Sequence, residues 1–229
     1  MKKFSLGTIV TCIFILVFIQ SIYAYDIKNL ESVKIDEFSR GDVYFYYKQN
    51  QCKILLKDIS RTDYIKELIV AEIKMADVKV QLEYTSGPSE DPGFYIRTSN
   101  GEKRISSKMN GLNFAYVGDD SFYIWGHVNS YFNIRKKYVL KNNRVNEVMQ
   151  PYYYVGLETK AKRKLVLFNT TDGKEQVDTI ENGEELQIIL NNGDWYLIKT
   201  YMGIVGWWRP ENSEFYKSKE IGDLYYFGD

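Results

Sequence analysis

The chain has one histidine, two cysteines and four prolines in 229 residues, and its 30 basic residues are offset by 30 acidic ones. Each shortage removes a class of function. Zinc draws on three or four His, Cys or carboxylate ligands at close spacing, and His127 stands alone. Calcium loops need regularly spaced acids, which neither Asp119-Asp120 nor Ser89-Glu90-Asp91 supplies. No metal and no cofactor is therefore expected. A nucleic-acid binder concentrates positive charge to displace counterions from phosphates. Here the basic clusters, Arg135-Lys136-Lys137 and Lys160 to Lys164, are short and read as solvated strand ends or linker rather than as a polyanion site. No nucleic-acid partner is expected.

Long apolar runs are also scarce. The one that stands out, Ile9 to Ile19, follows Lys2 and Lys3 and precedes Ser21-Ile22-Tyr23-Ala24. It is shorter than the roughly 20 residues that cross a bilayer, so residues 1–24 read as a signal peptide cleaved after Ala24, with an uncleaved anchor as the competing reading. Export to the periplasm or cell surface follows, with no membrane span left after cleavage. Loss of Lys2 and Lys3 leaves the chain slightly acidic. Cys12 would leave with the leader and lacks the small-residue box that lipidation needs. Cys52 then remains alone, which excludes an intramolecular disulfide.

A lone thiol beside Lys53-Ile54-Leu55-Leu56 reads as a small hydrophobe on a strand. The sharper reading pairs it with His127 as a hydrolase, yet catalytic cysteines of that kind usually open a helix, whose dipole lowers the thiol pKa. Asp119 and Asp120 offer two carboxylates, as glycoside chemistry requires. Between Gly118 and Ser121 they read instead as a solvated turn, so no catalytic residue is assigned.

What the chain has in quantity is rings: 20 Tyr, 12 Phe and 4 Trp, 16% of all residues. Aromatic and β-branched side chains suit a pleated, half-buried surface, and the fold class expected is all-β. From Asp77 to Tyr84, Val78, Val80, Leu82 and Tyr84 alternate with Asp77, Lys79, Gln81 and Glu83, the pattern of a half-buried strand. An antiparallel meander over residues 25–157 follows from similar runs. Asp42 to Tyr47 would join Lys53 to Leu56 through Gln49-Asn50-Gln51, and Phe94 to Thr98 would join Lys103 to Ser106 through an Asn100-Gly101 turn. Later strands are expected at 112–117, 121–126, 133–140, 144–149 and 152–156, with Gly118-Asp119-Asp120 and Lys141-Asn142-Asn143 as turns. One segment is ambiguous. Ile65, Leu68, Ile69 and Ile73 have helical spacing, while Ile69, Ala71, Ile73 and Met75 alternate, so 63–75 reads as helix or strand.

Residues 158–163 carry mixed charge without periodicity and read as a linker. Beyond them, in 164–229, five short strands (165–168, 175–180, 185–190, 195–200 and 203–208) are separated by Asp172-Gly173, Asn182-Gly183, Asn192-Gly193 and Tyr201-Met202, the economy of a small barrel that hides its sheet edges. Three stretches carry the pattern: Asn182-Gly183-Glu184-Glu185-Leu186, Gly193-Asp194-Trp195-Tyr196-Leu197-Ile198 and Gly203-Ile204-Val205-Gly206-Trp207-Trp208. Together with Leu165-Val166-Leu167 they resemble the bacterial SH3 (SH3b) domains of exported cell-envelope proteins, over about 164–210. The opening Leu167-Phe168-Asn169-Thr170-Thr171 departs from the family's Asn-Val-Arg-x-Gly-Pro type of sequence, which counts against a peptide-binding role.

The resemblance implies a small SH3-like β-barrel and a binding or scaffolding module, with a cell-wall polymer or a peptide as partner. Neighbours on a strand face opposite ways, and in the family the tryptophan of the Gly-Trp pair is a core or groove residue. Trp207 is therefore expected inside and Trp208 at the surface, with Tyr201, Trp195 and Tyr196 as further ligand-binding candidates. The opposing reading is purely structural and buries Trp208 against the first domain or the tail Leu224-Tyr225-Tyr226-Phe227.

Overall fold

A computed structural model describes residues 30–35, 42–46, 52–75, 77–89, 91–118, 120–211 and 217–228. The expected signal peptide, the Gln49-Asn50-Gln51 turn and Asp119 lie outside the described residues. Among the described residues there are seventeen strands. The first eleven are β1 (Leu30–Lys34), β2 (Asp42–Tyr46), β3 (Cys52–Asp58), β4 (Glu67–Met75), β5 (Val78–Thr85), β6 (Gly93–Thr98), β7 (Met109–Asn110), β8 (Asn113–Tyr116), β9 (Ser121–Gly126), β10 (Ile134–Lys141) and β11 (Arg144–Val148). The last six are β12 (Tyr153–Lys160), β13 (Leu165–Phe168), β14 (Gln176–Ile180), β15 (Glu185–Asn192), β16 (Trp195–Thr200) and β17 (Val205–Trp208). The protein is all-β, and among the described residues no helix is long and apolar enough to cross a membrane.

Two sheets share the first core. One runs β1-β2-β8-β9-β10-β11 and the other β3-β4-β5-β6-β7. Val43, Phe114, Phe122 and Tyr138 from the first sheet meet Ile73, Leu82, Phe94 and Ile96 from the second in one buried cluster. A ladder of rings stitches the layers together. Tyr84 lies 5.6 Å from Phe94, Phe94 5.6 Å from Phe114, Phe114 5.0 Å from Phe122, and Phe122 5.5 Å from Tyr138. The sheets are joined at the Phe94–Phe114 step, and each such pair contributes about 0.5–1.5 kcal/mol beyond its burial.

Local signals act where expected. Asn142 and Asn143 both take positive φ, 53° and 55°, and close the β10–β11 hairpin as a two-residue turn of the kind that matches strand twist. Gly101, at φ 73°, closes the chain after β6, with its N–H donating to the Thr98 carbonyl at 2.8 Å. The ambiguous 63–75 segment is strand from Glu67 onward. Leu68 pairs with Tyr84 and Ala71 with Leu82, with a bulge between Ile69 and Ala71. The extra residue shifts the inward phase from even to odd numbers, which is how one strand imitates three-and-four spacing.

Two corrections fall on the meander expectation and one on the linker. β2 does not pair with β3: it lies antiparallel to β1 and parallel to β8, while β3 pairs with β4 in the other layer. The two strands thus supply opposite walls of one core. Lys103 to Ser106 forms no strand and holds β6 through the Arg97–Arg104 bridge and two backbone bonds, from Thr98 N–H to the Lys103 carbonyl and from Ile105 N–H to the Ile96 carbonyl. Residues 158–160, expected as linker, are the end of β12, which pairs with β15 from Tyr153↔Asn191 to Lys160↔Glu185. The charges there suit a strand whose partner offers the opposite sign.

The third sheet runs β12-β15-β16-β17-β13-β14, with six strands in an open order. None of the three sheets closes into a barrel by its hydrogen bonding. The inward faces of β13 to β17 enclose a second core of Leu165, Leu167, Ile180, Ile188, Ile198 and Trp208. Phe132, from the loop after β9, and Ile221 and Leu224, from the tail, complete that core.

Candidate functional site

The register of the third sheet sorts its rings. Tyr153 lies opposite Asn191, Asn191 opposite Tyr196 and Tyr196 opposite Trp208. This row faces inward: Tyr196 is 6% and Trp208 3% exposed. The neighbouring row is Tyr154, Leu190, Leu197, Trp207 and Phe168, each opposite the next across five strands. Successive side chains on a strand alternate faces, so this second row lies on the outer face, half-buried except for the exposed Tyr154. At about 4.8 Å per strand its backbone spans roughly 19 Å.

The expected placement of the two tryptophans is therefore reversed. Trp208 is sealed in the second core, its ring 5.8 Å from Tyr196, and Tyr196 in turn meets Phe132 edge-on at 6.4 Å. Burial pushes the Tyr196 phenol pKa upward, helped by Tyr131 and Asp194. Trp207 stands on the outer face with Tyr152 at 6.1 Å. The reason is geometric. A Cβ on Gly206 would approach the Leu167 Cβ and Val177 Cγ2 at 2.8 Å each. The strand can press this tightly only because glycine lies there, and by alternation Trp208, two residues on, falls on the same face as Gly206, toward Leu167, while Trp207 falls on the other.

Trp195, two residues before Leu197, lies on the same outer face. Its ring meets Phe168 edge-on at 6.1 Å, and its far edge would lie 3.2 Å from a Cβ on Gly173. The loop after β13 is thereby folded against the indole. Asp172, in that loop, has its carboxyl pKa held down by the Thr170 hydroxyl and the Lys174 N–H. Tyr201 is 80% exposed at the tip of the β16–β17 hairpin beside Met202. The hairpin is closed by the Gly203 N–H to the Thr200 carbonyl at 2.9 Å. Tyr201 also edges a depression of about 820 Å³ floored by Glu158, Gln187 and Lys199 and flanked by Lys160 and Glu185. The outer face is thus aromatic at one end and charged at the other.

The basic run Lys160 to Lys164 is matched within the molecule. Lys160 reaches Glu185 at 3.5 Å, Arg163 reaches the buried Glu220 at 2.6 Å, and Lys164 reaches Glu181 at 2.5 Å. Elsewhere, Cys52 packs beside the first core, and burial pushes its thiol up to about 12, far from the thiolate that attacks or ligates. His127 has other neighbours: its Nε2 lies 2.9 Å from the Tyr225 carbonyl, and its ring 4.6 Å from Tyr225 and 6.0 Å from Phe227. The tail so fastened continues through the Phe227 N–H to the Ser130 carbonyl at 3.0 Å. Among the described residues no three His, Cys, Asp or Glu side chains converge as a metal site would require.

On this face the sequence expected Trp207 inside and did not offer Phe168 or Tyr154 as candidates. Lys199 was the available signal, since it shares the parity of Leu197 and Trp195 and pairs with Val205, two before Trp207. A lysine seldom points into a core, so its parity marks the outer face. No family model matches the chain, and neither a curated protein nor a solved structure is significantly similar to it.

Proposed function

We propose that the chain is an exported, non-enzymatic binding or scaffolding protein of the bacterial cell envelope, in which the C-terminal third acts as an SH3b-like module that holds a cell-wall polymer. The observation that carries this reading is the outer row from Tyr154 to Phe168, with Trp207 within it and Trp195 beside it. Half-buried rings on a rigid sheet give contact area at little entropic cost, and flat aromatic faces suit the apolar faces of sugar rings. The adjoining charged depression offers donors and acceptors to hydroxyl, amide or carboxylate groups along such a strand.

Retention on purified peptidoglycan tests it. The wild-type protein is expected to be retained and Trp207→Ala to be largely lost from the pellet, with unchanged folding by circular dichroism. Equal retention of both, or retention of neither, rejects the polymer reading. A second reading, a purely structural two-domain protein, is favoured by one contact: Trp208 and Tyr196 are packed with Phe132 of the preceding domain. On that reading Trp207→Ala changes nothing beyond stability.

A further inference from the structure

A second site lies in the first domain, on the outer face of the five-stranded sheet, and is independent of the aromatic row. Glu83 is fully buried there, opposite Ile69 on one side and Tyr95 on the other. A carboxylate taken wholly out of water needs paired cations and hydrogen bonds, and two arginines converge on it. Arg104 donates through Nε to one carboxylate oxygen at 3.2 Å and through Nη2 to the other. Arg97 Nη1 lies 3.3 Å from the same group. Arg104 also reaches Glu67 at 3.0 Å, and its guanidinium stacks 3.9 Å above the Tyr95 ring.

This arrangement fixes two guanidinium forks without using all their donors. Among the described residues Arg104 Nη1 makes no hydrogen bond and the buried Arg97 Nε has no partner, although Arg97 Nη2 donates to the Gly101 carbonyl. Both side chains line a groove of about 630 Å³ together with Ile59, Arg61, Lys103 and Glu102. Among the described residues Arg61 and Lys103 have no ion pair, while Glu102 is held by the Asn100 amide at 2.7 Å. Four cations and three carboxylates, the buried Glu83 included, therefore leave the groove positive in a chain that is neutral as a whole. A fixed fork with a free N–H group, that of Arg104, flanked by cations without an ion pair among the described residues, is the chemistry that recognises carboxylate and phosphate oxygens.

We infer that this groove binds an oxyanion, a phosphate or carboxylate group, with Arg61 and Lys103 supplying the charge and the Glu83-anchored Arg104 orienting it. Inorganic phosphate is the probe, titrated into the full chain at constant ionic strength with chloride as the control ion and followed by amide chemical shifts. Saturable shifts confined to residues 59–61 and 97–104 are expected with phosphate and absent with chloride. The double variant Arg61→Gln/Lys103→Gln, whose side chains are exposed and, among the described residues, make no ion pair, is expected to melt like the wild type and to bind at least tenfold more weakly. Acetate in place of phosphate separates a preference for carboxylate from one for phosphate. Linear, non-saturating shifts, equal shifts with chloride, or undiminished affinity in the double variant each overturn the inference.

Discussion

The two halves of the molecule use aromatic residues in opposite ways. In the first domain the rings run inward as one ladder from Tyr84 to Tyr138, tying two sheets into a sandwich, while the outer face of the five-stranded sheet is given to the ion pairs around Glu83. In the third sheet the rings are divided between faces: Tyr196 and Trp208 inside, Trp195, Trp207 and Phe168 outside. The interior is filled by aliphatic side chains from β13 to β17 with Tyr196 and Trp208, completed by Phe132, Ile221 and Leu224. The outer rings lie outside that core, and a half-buried ring outside the core is the kind of residue that interfaces use.

The largest expected effect tests the inward use. Phe114→Ala removes the ring that joins the sheets and should destabilise the first domain by about 3–5 kcal/mol, read as a lowered denaturant midpoint. If Trp207→Ala costs as much, the outer row is a second core and the contrast between the halves collapses. A smaller effect is expected for Gly206→Ala, where the added methyl would meet Leu167 and Val177. Overpacking of this kind costs about 1–3 kcal/mol. The same variant should redistribute Trp207 fluorescence, because the strand must shift to admit the methyl.

Much of this contrast could be read in the chain, and what could not has a physical cause. Alternation in Asp77 to Tyr84, the Asn142-Asn143 turn and the short strands from Leu165 onward depend on neighbours in sequence, and they stand where expected. The parallel β2–β8 pair and the β12–β15 ladder depend on segments about 70 and 30 residues away, beyond any local pattern. The bulge at Val70 hid a strand behind helical spacing. For Trp207 and Trp208, alternation establishes only that they face apart. Which of them lies inward depends on how β17 sits against β13, with Gly206 on the same face as Trp208 and close to Leu167, a tertiary fact.

Alkaline titration sharpens the comparison with one probe in each core. Burial raises the phenol pKa of Tyr138 in the first core and of Tyr196 in the second, with Glu147 adding to the effect at Tyr138. In the unfolded chain both ionise near about 10. Below that pH neither state loses the proton and stability is untouched. Above it the unfolded state ionises first, so stability falls with rising pH by up to about 1.4 kcal/mol per unit for each phenol. Urea midpoints followed from about pH 9 upward should show this slope, and Tyr138→Phe or Tyr196→Phe should each remove its own share.

The smallest effect on stability, and the most direct test of the outer face, is Tyr201→Ala. The ring is 80% exposed at a hairpin tip, where substitutions away from caps and strained backbone change stability by less than about 0.5 kcal/mol. The turn is closed by Thr200 and Gly203 rather than by the Tyr201 side chain. Any loss of polymer retention in this variant therefore reports contact, since the fold has nothing to lose. Retention unchanged in Tyr201→Ala but lost in Trp207→Ala would confine the binding surface to the row from Tyr154 to Phe168. Loss in both would extend it across the charged depression to the hairpin tip.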